Sequence, residues 1–515
     1  MIVAMPETIS QFFDAAVAEV PDKVWLVAGE ESFTYADAHE RIGRGAAALG
    51  DLGAGRGDVV LATMRSTPEY LFTWLAAAYT GAILVTANPR SAAAELAGLV
   101  GQVTPRLVIT DPGIEGVLES ARAWGAADVV DVARLYDSAS AVDGPGPAGP
   151  DDAAVLIPTS GTTGRSKLVM QTHRAYVMAG EGFPWWMELG PDDRLMTSLP
   201  LFHINAPAYS MLGSIGARAS LALLPAFSAS TFVESARRHG ATEFNAIGAM
   251  LEILMRRPER PNDADNPLRL CYTGPAPPKQ RQLEIEARFG LRIVCGYAMS
   301  ETPYGTIWAR GARPYGTLGS IRQHPTLGVV NEGRVMHEGR PAAIGEVGEL
   351  ELRNPAVMKG YWGMPDETAS VLSADGWLRT GDLVVADAGG TYTFIGRVKE
   401  VIRRRGENVA PAEIEEALAS HPGVFEVAVV GVPSELSEEE IKAFVVTAEG
   451  ADLAAIRSHA AGLLAPFKVP RYMEATADLP HTPTGRVAKH ELSRERSGAE
   501  IDFEPPRAPA TERTT

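Results

Sequence analysis

Short apolar runs at 59–64, 83–86, 107–110 and 129–132 alternate with alanine-rich stretches of helical character, and no other feature restricts the fold as tightly. Strands separated by helix-length segments predict parallel βαβ units, in which each crossover packs back onto the sheet. After a Gly/Pro-rich connector at 143–150 the rhythm resumes at 155–157, 220–224, 243–247, 269–273 and 292–295, predicting a second layered α/β set. Between 326 and 396, glycine spacing and runs such as 348–353 and 390–395 predict a small antiparallel β-barrel or sheet with almost no helix. Past Arg397, a strand at 400–404, a helix at 411–420, strands at 424–432 and 441–447 and a helix at 453–464 predict a separate α+β unit. The expected fold is α/β. It has a large N-terminal domain over 1–397 with two βαβ subdomains and the small barrel, a small α+β C-terminal domain over 398–497, and a disordered tail over 498–515.

With 515 residues, 45% hydrophobic and 22% charged, the chain has ample material for buried cores and lies outside disordered, collagenous and coiled-coil compositions. Its 47 basic and 64 acidic groups give a formal charge of −17, which repels phosphate backbones and anionic lipid, so nucleic acid is not an expected partner. Cys271 and Cys295 are too few for a disulfide framework or a cysteine zinc site and suit a reducing cytoplasm. The N-terminal residues lack the basic-then-apolar pattern of an export signal. Two uncharged runs, 70–89 and 195–217, have the length of a membrane span. The first is interrupted at Gly81 and the second carries Pro200, His203, Asn205 and Pro207, so both are expected to be buried core, with no integral membrane association.

Pro158-Thr159-Ser160-Gly161-Thr162-Thr163-Gly164-Arg165-Ser166-Lys167 places hydroxyls, two glycines and a lysine directly after a short buried strand. Such a loop offers N–H groups, hydroxyl donors and a cation to a polyphosphate, although composition alone also fits a surface turn. It is not a Walker A loop, because Ser166 and Leu168 flank Lys167 where that motif needs Gly and Ser or Thr. Gly43-Arg44-Gly45-Ala46-Ala47-Ala48 matches a dinucleotide fingerprint only in letters, since it lies inside a helical pattern beginning near Tyr35. Neither a serine-hydrolase elbow nor a His-Glu-x-x-His motif occurs.

The hydroxyl-rich segment resembles the phosphate loop of the adenylate-forming superfamily. Further segments match in the family's order: Pro200-Leu201-Phe202-His203, Gly274-Pro275-Ala276-Pro277, Gly296-Tyr297-Ala298-Met299-Ser300-Glu301-Thr302, and Gly376-Trp377-Leu378-Arg379-Thr380-Gly381-Asp382. Gly396-Arg397-Val398-Lys399-Glu400, the stretch from Gly406 to Glu415, and Leu479-Pro480-His481-Thr482-Pro483-Thr484-Gly485-Arg486 complete the series. The resemblance covers nearly the whole chain and is nearest to carnitine-type and to medium- or aryl-acid CoA ligases.

The resemblance implies two half-reactions: a carboxylate attacks the α-phosphorus of ATP and releases pyrophosphate, and the acyl-adenylate is then captured by a nucleophile, CoA in the ligases. Such chemistry asks for charge neutralisation more than for a protein nucleophile. By resemblance, Lys167 and Thr159 to Gly164 hold phosphate, and Glu301 with Ser300 holds Mg2+, a hard cation suited to oxygen. Tyr297 stacks on adenine within a nucleotide site that also takes in Gly274, Pro275, Ala276, Cys295, Gly296, Ala298 and Met299. Asp382 and Arg397 meet the ribose. His203 gates the acyl site, for which Asn205, Ala246, Gly248, Met250, Gly274 and Tyr304 are candidates. Lys399 is the hinge, while Arg403, Arg404, Arg405 and Gly406 are expected beside CoA, although an arginine run is commonly only solvated.

The main departure is Arg486, which stands where the family has a lysine between carboxylate and α-phosphate. A planar guanidinium does not substitute simply for a compact ammonium, and nearby Lys489 is a candidate stand-in. Ser166 and Leu168 replace a common Pro and Gly, and Cys295 replaces a frequent polar adenine contact. The implied partners are a small carboxylic acid, ATP and CoA, with a homodimer compatible. Rival readings are a carrier-protein thiol or nitrogen nucleophile as acceptor, nitrite activation for diazotisation, and a degenerate nucleotide-binding protein.

Overall fold

The computed structural model describes residues 7–111, 128–137, 141–142, 144, 146–159, 166–274, 276–404, 407–434, 439–448, 451–482 and 487–504. By packing, the chain divides into two compact units: a larger one of Met1–Arg334, Glu351–Thr380 and Ala388–Tyr392, and a smaller one of Val335–Leu350, Gly381–Asp387 and Thr393–Thr515.

The larger unit holds two extended sheets. In the six-stranded sheet, Asp128–Asp131, Leu107–Thr110, Val59–Thr63, Ile83–Ala87 and Ala153–Thr159 run parallel in that order, and Lys167–Thr172 closes it antiparallel. The run at 155–157, expected in the second set, thus belongs to the first. It pairs with Ile83–Ala87 through Leu84↔Val155, a choice made by long-range register that a linear reading cannot see. The nine-stranded sheet runs Ser320–Ile321, Thr302–Ile307, Arg292–Met299, Leu270–Gly274, Glu243–Ile247, Arg194–Thr197, Ser220–Leu223, Val24–Ala28 and Glu31–Thr34. Its interior is parallel and both margins are antiparallel hairpins.

Helix Pro68–Thr80 shows why the first uncharged run is core. Thr67 caps its start, Pro68 occupies a position whose N–H is not needed, and Gly81 ends it with φ of 74°. All its residues but Glu69 and Thr80 are buried, as expected for a helix apolar on every face. The second uncharged run takes in all but the first residue of strand Arg194–Thr197 and a π-helical turn at Ala206–Met211. Among the described residues no helix is long and apolar enough to cross a membrane. Gly43 and Gly45 lie within helix Tyr35–Asp51, as the rejection of the dinucleotide motif requires.

The β-rich stretch forms a five-stranded sheet, ordered Arg340–Pro341, Glu332–His337, Val347–Arg353, Leu378–Ala386 and Tyr392–Arg397. One short helix, Pro365–Val371, interrupts it. In the smaller unit, helices Pro411–Ala419 and Leu453–Ala461 accompany a sheet ordered Val424–Pro433, Glu439–Thr447, Tyr472–Ala475 and Ile501–Asp502. That last strand corrects the expected tail: residues 498–504 are structured. Ile501 pairs with Met473, and Asp502 forms an ion pair with Arg471 at 3.0 Å, so backbone pairing and charge order a segment whose composition reads as disordered. The tail residues 505–515 lie outside the described residues.

Candidate active site

Several candidate residues of the larger unit lie at the carboxyl ends of parallel strands, where open α/β sheets place ligand-binding loops: Thr159 and Gly274 end theirs, and Ser300 and Glu301 follow Arg292–Met299. Strands Ala153–Thr159 and Lys167–Thr172 are in register as Thr159↔Lys167, and Thr159 Oγ1 donates to the Lys167 carbonyl at 3.2 Å, so the two ends of the phosphate-loop motif meet. Ser160, Gly161, Thr162, Thr163, Gly164 and Arg165 lie outside the described residues, as does Pro275.

Arg292–Met299 and Thr302–Ile307 form a hairpin with Met299↔Thr302 paired, leaving Ser300 and Glu301 at its tip. Gln171 Nε2 donates to the Ser300 carbonyl at 2.7 Å and Met358 N to the Glu301 carbonyl at 2.8 Å, which fixes that tip from two directions. Tyr361 Oη donates to Glu301 Oε1 at 2.9 Å, and Lys167 Nζ stands 4.6 Å from the centre of the Tyr361 ring. One phenol therefore touches both the expected phosphate lysine and the expected metal-binding carboxylate. Burial and then the Glu301 charge push the Tyr361 hydroxyl far above its usual range, so it remains a donor. Sequence reasoning missed Tyr361; Gly360-Tyr361-Trp362 carries no charge pattern, and its partners are distant in the chain.

Tyr297 lies on the same hairpin, half-buried, with Oη 3.6 Å from Met299 Sδ. A side chain at Gly274 would start 2.4 Å from the Gly296 carbonyl, and one at Gly296 would start 2.8 Å from that of Thr306, so close backbone approach demands glycine at both. Cys295 and Cys271 are fully buried free thiols. Burial, reinforced by Glu286, pushes Cys295 well up, and its thiol is not presented to solvent. Phe202 and His203 pack with ring centres 4.5 Å apart, and Thr86 Oγ1 donates to the Phe202 carbonyl at 3.0 Å. Asn245 Nδ2 bridges Asn205 Oδ1 (2.8 Å) and Ser210 Oγ (3.2 Å), anchoring the π-helical turn. Of the remaining acyl candidates, Ala246, Met250 and Tyr304 are buried; Gly248 begins helix Gly248–Met255.

In the smaller unit, Arg397 Nε lies 3.1 Å from Asp382 Oδ1, joining the two ribose candidates on strands Leu378–Ala386 and Tyr392–Arg397. Lys399 is exposed on the short turn Val398–Glu400. Two expectations change here. Arg404, expected beside CoA, is only 1% exposed: it pairs with Glu440 (2.6 Å) and Glu504 (2.7 Å) and donates to the carbonyls of Phe467 and Val469, so its charge is engaged inside the fold and not solvated. Lys489 Nζ pairs with Glu415 (2.8 Å) and Glu400 (3.1 Å), which ties it into the unit's own framework. Burial works against this ammonium, but the two carboxylates outweigh it and hold its pKa above the ordinary lysine value. Arg405, Gly406 and Arg486 lie outside the described residues.

The chain belongs to the AMP-binding enzyme family, and its layered α/β body and small α+β unit are those of the matched profiles. The family profile matches 13–362 and the profile of its C-terminal domain matches 413–486. Sulfoacetate–CoA ligase of Cupriavidus necator is 34% identical over 94% of this chain and 97% of its own length, and crotonobetaine/carnitine–CoA ligase of Salmonella agona is 31% identical over 94% and 99%. ATP-bound MatB from Rhodopseudomonas palustris shares the fold with a TM-score of 0.85 and 29% identity, over 94% of this chain and 98% of that one.

Proposed function

We propose that the chain is an acid–thiol ligase that joins a carboxylic acid to AMP and then passes the acyl group to CoA. In the first step a carboxylate oxygen bonds to the α-phosphorus of ATP and pyrophosphate leaves. In the second, the CoA thiol loses its proton and bonds to the acyl carbon, and AMP leaves. The observation that carries this reading is Tyr361 set against both Lys167 and Glu301, because it assembles a cation, a fixed donor and a carboxylate where phosphate charge has to be managed. The CoA-ligase relatives support the thiol acceptor.

Lys167 neutralises phosphate charge, Tyr297 offers its ring face to adenine, and Asp382 with Arg397 takes the ribose hydroxyls. The Glu301 carboxylate, half-buried and hydrogen-bonded, fits a hard divalent cation; Glu301 with Ser300 would hold Mg2+, which supplies charge neutralisation to the triphosphate. Arg486 faces the attacking carboxylate and α-phosphate, and His203 gates the acyl side. Arg405 and Gly406 contact CoA, and Lys399 is the pivot residue. Two free, buried cysteines support a reducing cytoplasmic setting.

The test is a panel of carboxylic acids with ATP and Mg2+, with and without CoA, read for pyrophosphate and by mass for adenylate and thioester. Pyrophosphate with CoA consumption is expected; no pyrophosphate from any acid would overturn the proposal. In the same assay Arg486→Lys is expected to raise carboxylate-dependent pyrophosphate exchange, and an unchanged rate would remove Arg486 from the first step.

A further inference from the structure

We propose that the acid activated by this chain bears a second oxyanion, a carboxylate or sulfonate, and that Arg322 receives it. The proposal rests on the acid-activating reading above and specifies its substrate. Arg322 follows the edge strand Ser320–Ile321 and is 1% exposed. Its Nε donates to the Thr306 carbonyl at 2.9 Å, and Nη1 to Tyr209 Oη at 3.2 Å and the Pro303 carbonyl at 3.4 Å; Nη2 donates to Tyr272 Oη. The guanidinium lies 4.9 Å from the ring centre of Trp186, 5.2 Å from that of Tyr209 and 5.4 Å from that of Tyr272. Every partner is neutral, and no carboxylate among the described residues forms an ion pair with it.

The charge stands against the hairpin at Gly296, next to Gly274, a residue expected to serve both the nucleotide and the acyl side. Arg322 Nη2 is 2.9 Å from where a side chain on Gly296 would begin, and Gly296 abuts the acyl candidate Gly274. Tyr304, another acyl candidate, packs on Trp186 with ring centres 4.9 Å apart, and its buried Oη has no hydrogen-bond partner among the described residues. Ring faces and neutral oxygens compensate a desolvated guanidinium only in part. An oxyanion brought to this cation completes the compensation through charge-assisted hydrogen bonds, with the Tyr304 hydroxyl as a further donor. An apolar acyl end placed there would face a desolvated charge and gain nothing from it. The same cation thus favours one class of acid and disfavours the other.

The experiment compares kcat/KM for ATP-dependent pyrophosphate release in matched pairs: malonate with propionate, succinate with butyrate, 3-sulfopropionate with butyrate. The expected result is a preference of about thirtyfold or more for at least one doubly anionic acid, and the carboxylate and sulfonate arms tell which oxyanion is taken. Arg322→Met is expected to raise KM for that acid by a similar factor while KM for ATP stays put, and Arg322→Lys to recover part of the loss. Equal or better activity with the singly charged acids overturns the proposal, and the wild-type ratios decide this even if a variant does not fold. Failure here reads differently from failure of the ligase reading, in which no acid releases pyrophosphate.

Discussion

Arg322 in the larger unit and Arg404 in the smaller are buried to the same 1%, yet their surroundings are opposite. Arg404 is closed by Glu440 and Glu504, so its charge is consumed inside the fold. Arg322 is held by phenols, carbonyls and an indole, none of which neutralises it. Burial alone therefore does not tell a framework cation from a receptive one; the charge of its partners does. The lysines differ as well: Lys489 sits between two carboxylates, whereas Lys167 stands over the ring of Tyr361, whose hydroxyl donates to Glu301.

The most forceful way to break this comparison is Arg404→Met, which removes the guanidinium from between Glu504 and the buried Glu440; a stability loss of about 3–5 kcal/mol in urea unfolding is expected. A small loss accompanied by a large rise in KM for CoA would return Arg404 to the substrate path. Glu301→Gln tests the other side, with about a hundredfold slower pyrophosphate release and a melting temperature close to wild type. Loss of folding in place of rate would make Glu301 a framework residue. Lys489→Ala is expected to cost about 1.5–3 kcal/mol of stability while the folded protein keeps its pyrophosphate exchange. Abolished exchange at unchanged stability would revive Lys489 as the stand-in for the missing lysine.

Glu243 sharpens the same distinction with the opposite charge. It is fully buried, neither carboxylate oxygen has a hydrogen-bond partner among the described residues, and burial raises its pKa well above the ordinary value of 4.5. The folded form keeps this proton where the unfolded chain has released it, so the group's contribution is complete below about pH 4.5 and fades as pH rises toward the folded pKa. Glu243→Gln is expected to remove that slope, gaining on wild type by at most about 1.4 kcal/mol per pH unit across the window. Parallel stability curves for the two proteins would show that Glu243 ionises freely in place.

Much of this was legible in the residues. The run at 107–110 became strand Leu107–Thr110 without change, the helix expected at 411–420 became Pro411–Ala419, and the hydroxyl-rich motif spans the join of two paired strands. These features are local, set by apolar period, turn chemistry and caps. Long-range features were hidden. Nothing near Arg403-Arg404-Arg405 announces that the middle member points at Glu440 and Glu504, and nothing near Tyr361 announces Glu301. Arg322 carries no motif, and its meaning appears only when Tyr209, Tyr272 and Trp186 converge from three other elements.

The short strand Ile501–Asp502 has a practical consequence for anyone trimming this gene. Around it, Glu500 reaches Lys442 at 3.6 Å, Asp502 reaches Arg471 and Glu504 reaches Arg404, so a handful of terminal acids serves three inner cations. A stop codon placed after 497, where the letters look dispensable, would strip those counterions at one stroke. Expression designs do better to keep the chain through Glu504 and attach any purification handle beyond it.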